Sequence, residues 1–218
     1  MKKYYLAFLA FILLASIGMV VYGKTNIGHM TYEDFLNSLF TTDANYNLGN
    51  MGYDPLTIED QNIEITADSL MDYSDLVLII NVEKEPEFAG KSIRNCCKVE
   101  KVMKGNYSSE EIYIENFVFN WQTNNTNFYG NLTPLKIGER YLVFLKQYKH
   151  AVHSDSYFFS SYTYGHININ QPGYYIWDEV MSVEESQNYD CIYDRNRAED
   201  IDFELYTQIV DELLNRCL

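Results

Sequence analysis

Two histidines and an aspartate lie close together in the sequence and could bind a transition metal. His150, His153 and Asp155 offer two imidazoles and a carboxylate, which are ligands that zinc accepts. Histidines three residues apart converge on one ion only in helix or turn geometry, whereas the flanking residues favour a strand end and a loop. The sequence therefore leaves two interpretations, a zinc site or exposed loop histidines, and it favours the second.

A second group of oxygen-bearing side chains has the spacing of a calcium-binding loop. Asp43, Asn45, Asn47 and Asp54 occupy positions one, three, five and twelve of an EF-hand pattern. Position six is Leu48, although the pattern needs glycine there, and the twelfth ligand is a short aspartate instead of glutamate. We therefore interpret residues 41–55 as an Asn-rich linker.

Aromatic and amide side chains alternate between residues 117 and 133. Trp121, Phe128 and Tyr129 lie here among several asparagines, a mixture that suits carbohydrate or peptide surfaces. The alternative is a long connecting loop whose aromatic residues pack onto the domain. These three residues are the candidate ligand-binding residues.

The four cysteines show no catalytic or metal-binding spacing. Cys96 and Cys97 are adjacent, so on a strand they point to opposite faces and are the least suited to pair with each other. Of the possible disulfides, Cys191 with Cys217 ranks first because both flank one helix-containing loop. Free, buried thiols are the alternative. The sequence contains no Cys-x-x-Cys, no nucleophile motif and no Gly-rich phosphate loop.

Composition limits the classes of function. The 218 residues include 16 Lys and Arg against 31 Asp and Glu, a formal net charge of −15. Phosphate contacts need clustered cations, so this balance argues against nucleic acid as a partner. Apolar residues make up 47% and charged residues 22%, which is enough for a core and excludes an acidic disordered tail.

The N-terminus is typical of an export signal or membrane anchor. Lys2 and Lys3 precede an apolar run over residues 6–21. Residues 1–23 are therefore interpreted as a signal peptide or a transmembrane helix, and either alternative places the remaining chain outside the cytoplasm. The protein is then membrane-anchored or secreted.

The rest of the chain divides into residues 24–66 and 67–218. The first part is predicted as a short helix beginning near Thr31, with Phe35, Leu36, Leu39 and Phe40 on one side, followed by the linker. The second part is predicted as mostly β: a helix over 67–73, then strands over 76–82, 92–103, 112–119, 141–145, 157–164 and 174–177. Short strands at this spacing favour a sandwich or a small barrel.

Two elements have a readable face. On the strand over 92–103, Ile93, Cys97 and Val99 share one side, and Cys96 lies on the other. Val102 is out of phase with Val99, which predicts a bulge near residues 100 and 101. The C-terminal helix is predicted over 196–216 and docks on the sheet through a stripe of six residues: Leu205, Tyr206, Ile209, Val210, Leu213 and Cys217.

Four segments resemble a known family when they are taken in order. They are SDLVLII over 74–80, VEKVMKG over 99–105, LKIGERYLVFL over 135–145 and QPGY over 171–174. Together they resemble uncharacterised exported bacterial domains similar to the netrin-like and metalloproteinase-inhibitor fold. The resemblance covers about residues 68–180 and implies a small, five-stranded OB-like barrel with flanking helices. The inhibitors use an N-terminal cysteine, but no cysteine follows Lys24 until Cys96, so their mechanism is not implied.

These observations predict a non-catalytic interaction domain outside the membrane that binds a protein or a cell-wall polymer. The N-terminal helix would contact the membrane, and no cofactor is expected. The alternative is a metal-binding module or metal-dependent enzyme that uses His150, His153 and Asp155. A structural envelope component is a third possibility.

Overall fold

A computed structural model describes residues 31–43, 57–61, 63–89, 92–119, 125–147, 155–177, 181–194 and 203–218. The predicted N-terminal anchor and most of the Asn-rich linker lie outside these ranges. None of the described helices is long and apolar enough to cross a membrane. Residues Tyr32–Leu218 form one compact unit.

The described part of this unit contains eleven strands and four α-helices. The strands are β1 (Leu39–Asp43), β2 (Leu76–Asn81), β3 (Glu87–Ala89), β4 (Ser92–Lys104), β5 (Glu111–Phe119), β6 (Asn125–Tyr129), β7 (Arg140–Gln147), β8 (Ser156–Phe159), β9 (His166–Asn168), β10 (Tyr174–Trp177) and β11 (Cys191–Asp194). The helices are α1 (Tyr32–Leu36), α2 (Ala67–Tyr73), α3 (Val183–Ser186) and α4 (Phe203–Cys217). A 3₁₀ turn spans Glu59–Gln61.

Five strands close into a barrel. Each strand pairs with its neighbours in the circular order β2-β4-β5-β8-β7 and back to β2. The β5–β8 pair is parallel, and the other four pairs are antiparallel. The prediction of a mostly β domain with a small barrel and a C-terminal helix is therefore confirmed.

The aliphatic run in β2 reflects burial on both of its faces. Leu76, Leu78 and Ile80 point into the barrel, where they join one apolar cluster. Val77 and Ile79 point outward into a second cluster that includes residues of α2 and α4. A strand that lies between two apolar layers needs no polar alternation, which explains its continuous pattern. The helix α2 ahead of it begins with a capping box between Thr66 and Ser69.

The predicted bulge in β4 is confirmed. Val99 pairs with Ile80 and Lys101 pairs with Ile79, so Glu100 is the additional residue on β4. The Glu100 carboxylate accepts hydrogen bonds from the Arg140 guanidinium at 2.6–3.1 Å. The additional residue brings Val102, which pairs with Leu78, onto the same face as Val99, and Val102 is 38% exposed.

The predicted elements differ from the structure in several places. Leu39 and Phe40 lie in β1 and not on the N-terminal helix, because β1 pairs in parallel with β6. The strand predicted over 157–164 ends at Phe159, since the Ser161 hydroxyl accepts hydrogen bonds from the amides of Thr163 and Tyr164 and turns the chain. Strands β1, β3, β6, β9 and β11 were not predicted. Strand β11 pairs in parallel with β10.

Helix α4 packs on the outer face of the barrel. Tyr206, Ile209, Val210, Leu213 and Cys217 are buried in the outer apolar cluster, as the stripe predicts. Leu205 is the exception, because it lies at the edge of the stripe and is 43% exposed. The Lys101 ammonium donates to the carbonyl of Cys217 at 3.2 Å and so satisfies a free carbonyl at the end of the helix. The start predicted at Asn196 lies outside the described residues.

Candidate functional site

A surface groove runs between β10 and the first turns of α4. Its volume is about 530 Å³. Its lining combines two aromatic rings with four exposed polar side chains: Tyr174, Phe203, Glu204, Thr207, Gln208 and Asp211. Ligand sites commonly pair apolar surface with a few converging polar groups, and this groove has both.

The aromatic wall is formed by two rings that stack on each other. The ring centroids of Tyr174 and Phe203 are 4.7 Å apart with an angle of 18° between the planes. Tyr206 meets Tyr174 edge-on at 5.2 Å, and Tyr193 meets Phe203 edge-on at 5.6 Å. These buried tyrosines hold both rings in place from below, so the wall of the groove is preformed.

A buried aspartate fixes the strand that carries Tyr174. Asp190 is 1% exposed and accepts hydrogen bonds from the amides of Asn168 at 2.7 Å and Gly173 at 2.9 Å. Its own amide donates to the carbonyl of Gly173 at 2.8 Å. His166 is also buried, with Nδ1 3.8 Å from the Asp190 carboxylate and Nε2 2.8 Å from the Thr133 carbonyl oxygen. Asp190 thereby joins β9 to the residue that precedes β10.

Three buried groups beneath the aromatic wall are uncharged at neutral pH. Burial is the main reason that the pKa values of the Tyr193 and Tyr206 hydroxyls are raised. Burial likewise raises the pKa of the Cys191 thiol to about 12. These groups keep their protons, so Cys191 is not activated as a nucleophile. The arrangement is suited to binding.

The rim of the groove is acidic. Glu204 and Asp211 are exposed on the same face of α4, seven residues apart, and neither has an ion-pair partner among the described residues. Thr207 lies between them and donates its hydroxyl proton to the Phe203 carbonyl at 3.0 Å. The described lining contains no Lys, Arg or His. Two carboxylates without an ion-pair partner in the described part of the chain therefore face the same groove.

A second polar surface lies on the outer face of β4 and β5. Arg94 binds both oxygens of Asp155 at 2.9 and 3.0 Å and lies 3.8 Å from the ring centre of Tyr113. Lys84 pairs with Glu111 at 2.6 Å, and Lys98 pairs with Glu83 at 3.5 Å. The cations on this surface already have acidic partners within the chain. This surface is therefore a weaker candidate for a ligand site than the groove.

The register of β4 places its two cysteines as predicted. Cys97 is 0% exposed inside the barrel, where burial raises the pKa of its thiol. Cys96 is 9% exposed on the outer face, with its sulfur 3.8 Å from the Lys84 ammonium. Burial also raises the pKa of Cys96, and Lys84 opposes that shift.

A membrane-impermeant thiol reagent should therefore label Cys96 before Cys97 in the reduced, folded protein. We expect the ratio of the two rates to be at least about tenfold, because the Cys97 thiolate forms only when the barrel opens. Both rates should rise with pH, since both thiols are protonated at neutral pH. Mass spectrometry of the two labelled positions after timed quenching measures the ratio, and faster labelling of Cys97 would contradict the strand register.

The predicted metal ligands are only partly described. Asp155 is exposed and both its oxygens are bound by Arg94, whereas His150 and His153 lie outside the described residues. Within the ranges that the structure describes, no group of three His, Cys, Asp or Glu side chains is arranged to hold a metal. The zinc site stays a prediction, which metal analysis of the purified protein can test.

The predicted aromatic ligand residues do not form a described surface. Trp121 lies outside the described residues, and Tyr129 lies in β6. Phe128 is fully buried and packs on Phe40 at 5.1 Å and Phe35 at 6.2 Å. β6 lies between β1 and β5, and the Phe128 ring fills the aromatic cluster beneath them. Ligand binding by Trp121, Phe128 and Tyr129 stays a prediction.

Cys191 and Cys217 are free thiols in the structure. Both are buried in the apolar cluster between the barrel and α4. The predicted disulfide is thus absent here, and non-reducing peptide mapping of the purified protein remains its test.

Sequence reasoning missed the groove. One signal was available, because residues 204, 207, 208 and 211 have the spacing of a single polar helix face. The position of Tyr174 beside that face was not readable from the sequence, since it depends on the unpredicted strand β11.

No protein-family model matches this sequence, and no curated protein matches it. The barrel and the groove are therefore the features from which a function can be inferred.

Proposed function

We propose that this protein is a non-catalytic interaction domain that acts outside the membrane and binds a protein or a cell-wall polymer. The N-terminal apolar segment would keep the domain at the membrane or direct its secretion. The observation that supports binding is the preformed groove beside α4. Its volume of about 530 Å³ falls within the range of ordinary ligand sites, roughly 300–1,000 Å³.

We further propose that the barrel is of the OB type and netrin-like. Numbered along the chain, the five barrel strands follow the order 1-2-3-5-4-1 with one parallel pair, which is consistent with that fold. Three of the resembling segments coincide with β2, the end of β4 and β7, and the fourth ends at the start of β10. Such barrels host many unrelated functions, so the site must carry the functional argument.

OB-type barrels often bind ligands on the outer face of their second and third strands. Those strands are β4 and β5 here, and their outer face carries Lys84, Arg94 and Lys98 in pairs with acidic side chains. A ligand would have to displace those pairs. The groove offers carboxylates that have no such partner among the residues that the structure describes, and this difference favours the groove as the binding surface.

A pull-down from solubilised envelopes tests the proposal with the full chain as bait. The wild-type chain should retain a protein or a wall fragment that the double variant Glu204→Lys/Asp211→Lys loses. The matched control is Glu64→Lys/Glu110→Lys, which changes the net charge equally at exposed positions away from the groove. Equal retention by all three baits, or retention by none, would contradict the proposal.

A further inference from the structure

We infer that the groove beside α4 binds an extended peptide segment that carries two cationic side chains three residues apart. This inference rests on the proposed function and specifies the ligand of the same groove. It is carried by the charge of the rim, the spacing of its two carboxylates and the packing of its aromatic wall.

The negative charge of the rim indicates that the ligand is positively charged. Glu204 and Asp211 are the charged groups in the described lining, and no described cation neutralises them. The chain as a whole carries a formal net charge of −15. An anionic polymer would meet repulsion from both the rim and the whole molecule, whereas a cationic segment would be attracted over a distance of about 10 Å.

The spacing of the carboxylates sets the spacing of the cations. Seven residues along an α-helix span ~10.5 Å and bring both side chains to the same face. In an extended polyproline-type peptide, side chains three residues apart lie on one side and are separated by ~9.3 Å. The two distances agree closely enough for long Lys or Arg side chains to meet both carboxylates at once.

The aromatic wall favours a peptide over a sugar. Stacking a sugar ring requires an open aromatic face, but Tyr174 and Phe203 turn one face each toward the other at 4.7 Å. Their remaining edges suit the aliphatic stem of an arginine. Gln208 and Thr207 lie between the two carboxylates, where the amide of Gln208 can hydrogen-bond to a peptide backbone.

Fluorescence anisotropy with the full chain in detergent micelles tests the inference. The probe is a labelled peptide with the core Arg-Pro-Pro-Arg, whose prolines favour the extended form. A peptide with the core Gln-Pro-Pro-Gln is the neutral match. We expect only the arginine peptide to bind, with an affinity that falls as salt is raised from 50 to 500 mM, on the order of tenfold.

Variants of the rim distinguish binding in the groove from nonspecific attraction of the peptide to an acidic protein. Glu204→Gln and Asp211→Asn should each weaken binding of the arginine peptide by about three- to fivefold, as expected for one exposed charge pair. Glu110→Gln removes an equal charge elsewhere and should leave the affinity unchanged. Equal binding by these three variants, binding of the neutral peptide, or preferential binding of a neutral oligosaccharide would overturn the inference.

The outcomes also separate this inference from the proposed function. If the pull-down partner depends on Glu204 and Asp211 but the arginine peptide does not bind, the ligand class is wrong and the interaction domain stands. If neither ligand depends on the rim, both proposals fail.

Discussion

Replacing Ile209 with aspartate should lower the free energy of unfolding by about 4 kcal/mol. Ile209 is 3% exposed at the centre of the α4 stripe, where it contacts the outer apolar layer of the barrel. The substitution removes a buried aliphatic side chain, which costs ~2–4 kcal/mol. It also places a carboxylate in an apolar contact without a partner, which adds to the loss.

Leu205→Asp is the matched control on the same helix. Leu205 is 43% exposed, so the same change of type should alter the free energy of unfolding by less than ~1 kcal/mol. Urea denaturation followed by circular dichroism measures both variants. Equal effects at the two positions would show that α4 does not dock through the stripe, as would a truncation before Asn196 that leaves the melting temperature unchanged.

Replacing Asp190 with alanine should destabilise the protein by about 3–5 kcal/mol. The change leaves the buried amide of Asn168 and the half-buried amide of Gly173 without their acceptors. Each unsatisfied buried donor costs ~1–3 kcal/mol, and the lost side chain adds a small cavity. His166 also loses the carboxylate near its Nδ1.

Asp190→Asn separates hydrogen bonding from charge and packing. Asparagine keeps the shape and one acceptor oxygen but points an N–H group at one of the two amides, so we expect about half of the loss. Asp211→Ala is the exposed control and should change the free energy of unfolding by less than ~0.5 kcal/mol. Urea denaturation measures all three variants. If the alanine variant were as stable as the wild-type chain, Asp190 would not be the residue that joins β9 to the start of β10.

The local sequence pattern was sufficient to predict several elements of the fold. The apolar run of β2, the face and bulge of β4 and the buried stripe of α4 each depend on neighbours in sequence, because strands alternate every two residues and helices repeat every 3.6. The Glu100 bulge illustrates this: Val102 is out of phase with Val99, and that mismatch is visible without any structure. Helix α2 was likewise predictable, since its capping residues are adjacent to it.

Elements that depend on distant partners were not predictable. Leu39 and Phe40 have the spacing of a helix, but β6 offers them a strand partner more than 80 residues away. Phe128 belongs to an exposed-looking segment, yet its ring is buried against Phe35 and Phe40. Local propensity is a weak constraint compared with such tertiary pairing, and so the structure overrides it.

The sequence by itself therefore determined the acidic character, the mostly β class and the helix that docks on the barrel. Only the tertiary structure decided how the barrel closes and where a ligand can lie. The groove depends on Tyr174, which β11 and the buried Asp190 hold beside Glu204 and Asp211 of α4. These residues are up to 37 positions apart, and nothing in their local sequence encodes the contact, because it arises from the packing of a helix against a strand pair.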